Sequence, residues 1–174
     1  MTVYTIGHST RTIPEFASLL SAAEIGVVAD VRSFPHSRTN PQFNIEVLPD
    51  SLAQFSVGYQ HIPELGGRRH RPREAPPSPN IFWRNESFRN YADYAMTDAF
   101  RIGLAVLNEL ADRRRCAIMC SEALWWRCHR RIISDYLIAQ GAQVFHIIGQ
   151  REIEPATLTP SARTLPDGAL VYPE

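Results

Sequence analysis

Short apolar runs that alternate with amphipathic segments limit this chain more than any other feature. Such runs lie at 3–6, 27–31, 58–62, 117–119 and 144–148, the third being the weakest. Between the first two, Thr12 and Glu15 have the spacing of a capping box, and Phe16, Leu19 and Leu20 form one face of a helix ending near Gly26. A short helix is expected around 51–55. A helical region begins at 87–96 and continues over 98–113, with Leu104, Leu107 and Leu110 as its stripe. A helix over about 125–140 buries Ile132, Ile133, Tyr136 and Leu137, and Gly141 supplies its stop. Nearly continuous apolar strands alternating with helices require a parallel sheet covered on both faces. The expected class is α/β: a Rossmann-like three-layer fold with a mostly parallel sheet of about five strands. Gly-x-Gly-x-x-Gly is absent, so the dinucleotide-binding version of that fold has no support.

The 174 residues, 44% of them hydrophobic, suit one domain with a packed core. That α/β domain is expected over 1–150. Residues 63–80, rich in Pro, Gly and Arg, read as a long loop, a length at which loops tend to be functional. Residues 151–174 show neither helical nor strand period and read as an extended C-terminal tail. The first residues lack a basic n-region and a long apolar stretch, so no signal peptide is expected. No run approaches a membrane span either.

All 18 basic side chains are Arg; there is no Lys, and 18 acidic residues bring the formal net charge to zero. Lysine chemistry is therefore excluded: no Schiff base, no pyridoxal-phosphate anchor and no Walker A lysine. The balanced total also argues against a bulk polycation. GC-rich coding accounts for the missing Lys but not for where the Arg residues cluster. Three Cys in a Cys-poor chain point to reduced thiols in a cytoplasmic protein.

In open parallel sheets, ligands bind beyond the carboxyl ends of the strands. The less ordinary polar residues of this chain fall there. His8 and Ser9 follow the first run, where backbone amides can form an anion nest. Arg32, Ser37 and Arg38 follow the second, and Gly66, Gly67, Arg68 and Arg69 the third. Cys120 and Glu122 follow the fourth, ahead of Cys128, His129 and Arg130 at the head of the next helix. A thiol in the first turn of a helix, flanked by Arg127, Arg130 and Arg131, has its pKa drawn down toward a nucleophilic thiolate. The alternative is that Cys128 and Cys120 are small buried hydrophobes. Cys116 shares a strand face with Cys120 but lies about 13 Å from it, so it belongs to the core. Asp30 precedes Arg32 on the same face, either as a structural ion pair or as a substrate-orienting carboxylate. The run Arg113 to Arg115 fits a helix C-terminus, where positive charge is favoured.

These motifs, in order, resemble the DUF488 family, prokaryotic domains of unknown function. The matching stretches are Thr5-Ile6-Gly7-His8-Ser9, then Asp30-Val31-Arg32 with Pro35, Ser37 and Arg38, then Pro41 and Phe43. They continue through Glu64-Leu65-Gly66-Gly67-Arg68-Arg69, Tyr91-Ala92-Asp93-Tyr94, and Met119-Cys120-Ser121-Glu122 with Cys128-His129-Arg130. Together they span residues 4 to about 148. Two departures stand out: Leu124-Trp125-Trp126 where the family pattern has a Pro, and Ser121 where Ala is common. The resemblance implies an α/β fold with these motifs as its site, and it supplies no reaction. The Cys-x-Glu and Cys-His-Arg elements are also similar to motifs of predicted nucleotide-processing Rossmannoid families, an analogy only.

The leading expectation is an enzyme, a thiol-dependent transferase or hydrolase, acting on a small anionic, nucleotide-like substrate. Arg32, Arg38, Arg68, Arg69 and Ser9 would hold the anion, Cys120 or Cys128 would be the nucleophile or redox thiol, and His129 and Glu122 would move protons. A second reading is a nucleic-acid-binding module using Arg68, Arg69, Arg71 and Arg73 with Trp83, Phe88 and Tyr91. A third is a metal sensor built on Cys120, Cys128 and His129, with His8 or His36 as fourth ligand. Its C-x7-C-H spacing is not a standard zinc pattern, so no residue is assigned to a metal. The residues name no cofactor, no membrane partner and no oligomeric state.

Overall fold

The computed structural model describes all 174 residues. Its centre is a six-stranded sheet of β1 (Thr2–Gly7), β2 (Val27–Asp30), β3 (Gly58–His61), β4 (Cys116–Cys120), β5 (Gln143–Gly149) and β6 (Glu152–Pro155). The strand order is β3-β2-β4-β1-β5-β6. The first five strands run parallel, and β6 adds antiparallel to β5. Central β1 and β4 are buried on both faces, which explains their unbroken apolar runs. Edge strand β3 is only half-buried, and its run is correspondingly weak.

Helices cover both faces, giving three layers. On one face α1 (Ile13–Ala22) and α2 (Leu48–Ala53) pack Phe16, Leu20, Leu48 and Leu52 against Tyr4, Ile6, Val28 and Met119. On the other, α3 (Glu86–Tyr94), α4 (Asp98–Arg113) and α5 (Arg130–Ala139) pack against Val3, Ala29, Ile118 and Cys120. Thr12 and Glu15 form the capping box read from the sequence. Gly141, at φ +93°, closes the turn after α5.

Two expectations need correction. The helix expected from about 125 begins only at Arg130, after a 3-10 turn at Trp125–Arg127. Cys128 is extended there (φ −128°, ψ 147°), so it precedes the helix instead of lying in its first turn. The tail is not featureless either. It carries β6 and a small hairpin of β7 (Arg163–Thr164) and β8 (Leu170–Val171). β6 is exposed along its length and β7 and β8 span two residues each, so none leaves a period in the sequence.

The end of the chain is locked to the domain by buried polar contacts. The Tyr172 hydroxyl donates to Asp135 (2.9 Å), and its backbone N–H donates to Asn80 (2.9 Å). The Leu170 N–H donates to the Tyr136 hydroxyl, and the Thr159 N–H to Asp135. Tyr172 itself is fully buried against Trp83. Tyr172→Ala is therefore expected to lower unfolding stability by about 3 kcal/mol or more, read as a fall in the urea midpoint. A midpoint within error of the parent would show that the tail is not part of the folding unit.

Candidate active site

The carboxyl ends of β1, β2 and β4 converge with the segment leading into α5 around one cavity of about 460 Å³. Cys120, Glu122, Cys128 and His129 line its floor. His8, Arg32, Ser37, Gly67 and Arg68 also border it. These nine residues come from segments far apart in the chain, and the parallel topology is what gathers them.

At the floor the two sulfurs lie side by side, with Cys120 Sγ 2.7 Å from Cys128 Sγ. Cys128 Sγ also meets the backbone N–H of Arg130 at 3.4 Å, its Nε at 3.3 Å, and His129 Nδ1 at 3.5 Å. His129 Nε2 is 2.7 Å from the Val31 carbonyl, which can only accept, so Nε2 carries a proton. Nδ1 is thereby left to face the sulfur, as acceptor from a thiol or, when protonated, as donor to a thiolate. Burial pushes the Cys128 thiol up. The Cys120 hydrogen bond and the His129 and Arg130 charges outweigh it and bring its pKa well below the ordinary thiol value. Cys120 moves the other way, through burial and the proton it shares with its neighbour.

The asymmetry comes from the bond between the two sulfurs and from His129; the charge that favours a thiolate at either sulfur is that of Arg130. Its guanidinium is about 1% exposed and meets the Glu122 carbonyl, Thr5 Oγ1 and Cys128 Sγ. No carboxylate pairs with it. A buried cation needs a counter-charge, and Cys128 is the acidic group placed to supply one. Thr5 Oγ1 is also hydrogen-bonded to His146 Nδ1 (2.7 Å), and burial with the Arg130 charge lowers the His146 pKa to about 4.

Asp30 is not at the cavity surface. It is fully buried, accepts from the Arg32 backbone N–H, from Arg32 Nε (2.9 Å) and Nη2 (2.7 Å), and from the Tyr59 hydroxyl. Its four acceptor positions are thus filled, and its role is to hold Arg32. His8 supports the same side chain: its Nδ1 is bonded to the Ser9 carbonyl, and Nε2 accepts from Arg32 Nη1 (3.3 Å). Burial, with the Arg32 charge adding to it, lowers the His8 pKa to about 4.

The anion nest expected at His8 and Ser9 does not form. Both backbone N–H groups continue the β1–β4 pairing, donating to the Cys120 and Ser121 carbonyls at 2.8 and 3.0 Å. Arg38 is exposed away from the cavity, and Arg69 lies against Tyr94 and the Pro63 and Gly66 carbonyls. Arg71 is likewise bonded within its own loop. Trp83 and Tyr91, interleaved in sequence with that basic stretch, are buried in the core. No three His, Cys, Asp or Glu side chains stand in metal-binding geometry, and His36 faces Glu46.

At the rim, Arg68 and Arg127 are exposed cations with no carboxylate partner. From the sequence Arg127 reads only as added charge near Cys128, and Phe34 carries no assignment. Phe34 borders the cavity while 64% exposed, with the Arg68 guanidinium over its ring. Its position directly after β2 was the available signal. Glu122 is the cavity's one carboxylate and accepts from the Leu124 N–H. Gly66 leans on Ser33 and Gly67 on the His129 ring so closely that a Cβ at either would collide.

A family model described as "Domain of unknown function DUF488" matches residues 12–137. No curated protein and no solved structure gives a significant match.

Two outcomes follow from this geometry. Gly67→Ala forces the His129 ring aside, so iodoacetamide should alkylate Cys128 several-fold more slowly while circular dichroism stays unchanged; an unaltered rate would remove His129 from the account. Separately, His8 and His146 have folded pKa values near 4 against 6.5 in the unfolded chain. Between those values the unfolded chain binds protons that the folded protein does not, so stability falls as pH drops from 6.5 toward 4. His146→Asn keeps a hydrogen-bonding partner for Thr5 without the titration, and urea midpoints across this range should fall less steeply than in the parent.

Proposed function

Because the chain belongs to the DUF488 family of domains of unknown function, its chemistry has to be read from the site, and we propose that it is a thiolate-dependent transferase or hydrolase acting on a small anionic substrate. The observation that carries this is the position of Cys128. Its sulfur lies on the floor of a cavity with Arg130, His129 and Cys120 as donors, beneath a rim holding Arg68 and Arg127.

In this reading Arg68 and Arg127 receive the anionic group, and the charge of Arg32, which lines the same cavity, lies beside them. Arg forks match phosphate and carboxylate oxygens in pairs. The Cys128 thiolate attacks the electrophilic centre of the substrate. A bond from sulfur to the transferred group forms as the bond to the leaving group breaks, and protonated His129 Nδ1 gives its proton to the departing atom. Neutral His129 then takes a proton from water or another acceptor as that nucleophile displaces the sulfur, which restores the thiolate and the imidazolium. Glu122, the carboxylate of the cavity, orients the acceptor in this reading. Asp30, Tyr59 and His8 act as positioning residues through Arg32.

The size and lining of the cavity support a substrate no larger than a nucleotide, and the exposed Phe34 ring offers a flat apolar surface beside the cations.

Matched alkylating agents separate the components of this reading. Iodoacetate carries the anion that the rim should attract, whereas iodoacetamide is neutral. Relative to a free thiol, Cys128 should favour iodoacetate by about tenfold or more, the worth of one charge-assisted hydrogen bond. Arg68→Ala combined with Arg127→Ala should abolish that preference and leave the iodoacetamide rate within a small factor. Equal rates for both reagents in the parent would overturn the anion pocket, and no alkylation of Cys128 by either would overturn the nucleophile.

A further inference from the structure

We infer that Cys128 is a site of oxidation by small hydroperoxides, with Cys120 as its resolving thiol, so that the cavity cycles between a dithiol and a disulfide. The inference rests on the Cys128 thiolate of the proposed function and adds a chemistry that the group-transfer reading does not use.

The fold brings the two thiols together. Cys120 leaves β4 and Cys128 precedes α5, yet their sulfurs are 2.7 Å apart on the same cavity wall. Group transfer needs one nucleophile, and nothing in it requires a second thiol against the first. The two thiols also differ in their surroundings. Cys128 meets Arg130 and His129, while Cys120 Sγ meets Cys128 and, at 3.9 Å, the Glu122 carbonyl, with the Arg130 charge acting on it as well but no contact to His129. One thiol is equipped to attack and the other to wait with its proton. Both sulfurs border a cavity of about 460 Å³, whereas Cys116 is fully buried and does not border it.

The chemistry balances. The Cys128 thiolate attacks the outer oxygen of the hydroperoxide, the O–O bond breaks, and the departing alkoxide takes the proton from His129 as an alcohol. Cys128 is now a sulfenic acid. Cys120 sulfur attacks Cys128 sulfur, the S–S bond forms, and hydroxide leaves with the Cys120 proton as water. Two thiols have lost two electrons and the hydroperoxide has gained them. A cellular dithiol returns them by thiol–disulfide exchange. Arg130 favours that return, because the disulfide deprives its buried guanidinium of the anion beside it.

The test treats the full-length protein with hydrogen peroxide, blocks remaining thiols and digests it with trypsin. Cleavage after Arg115, Arg127 and Arg130 leaves Cys120 on peptide 116–127 and Cys128 on 128–130. The expected result is a cross-link between these two peptides, assigned to Cys120 by fragmentation and removed by dithiothreitol. In Cys120→Ala, Cys128 should instead accumulate as a dimedone-trapped sulfenic acid. Parent protein that gives dimedone-labelled or over-oxidised Cys128 without a cross-link overturns the resolving role and leaves the thiolate reading intact. Cys128 that resists peroxide yet is alkylated by iodoacetamide overturns the inference alone. Resistance to both reagents overturns both readings. If Cys120→Ala fails to fold, the cross-link in the parent decides.

Discussion

The buried charge of Arg130 organises this molecule. Placing a guanidinium out of water, with no carboxylate within reach, is costly unless the surroundings answer it. They do so with the Glu122 carbonyl, the Thr5 hydroxyl and the Cys128 sulfur. Thr5 in turn is fixed by neutral His146, on which Trp125 stacks at 4.3 Å. Strands β1, β4 and β5 and the start of α5 are thereby tied to one cation. The arrangement is neutralised when Cys128 is a thiolate, so the electrostatics of the core and the reactivity proposed for the cavity rest on the same interaction.

Topology supplies the rest. With β4 between β1 and β2, the loops after these strands meet over the head of α5. Asp30 extends the effect sideways. Fully buried itself, it binds Arg32 through both carboxylate oxygens and sets that guanidinium at the cavity edge. The glycine pair at 66–67 lets the long loop lie directly on Ser33 and His129. The basic residues thus divide by function of place: Arg32 and Arg130 are structural cations at the cavity wall, whereas Arg68 and Arg127 remain unpaired at its rim.

Much of the sheet could be read from the chain because β1, β2, β4 and β5 are buried and their apolar runs have no competing explanation. The same logic located the polar edge, since residues after parallel strands must emerge on one side. Reading failed where local pattern and tertiary contact part company. Backbone N–H groups at His8 and Ser9 looked free to form a nest, but β4 extends far enough to occupy them. Cys128 looked helical because the apolar period of α5 runs smoothly back to Trp125, yet the chain turns before it. Strand β6 and the terminal hairpin are too exposed or too short to mark a period. The contact between Cys120 and Cys128, separated by a turn, leaves no trace in spacing.

A thiolate at Cys128 held by Arg130 is the central element of the proposed chemistry. Titrating the ultraviolet absorbance of the thiolate against pH measures it most directly. The parent protein should show one step well below the usual thiol pKa of about 8.5. That step should vanish in Cys128→Ser and move upward in Arg130→Met. Absorbance that rises only in the ordinary thiol range, in the folded parent protein, would contradict the account.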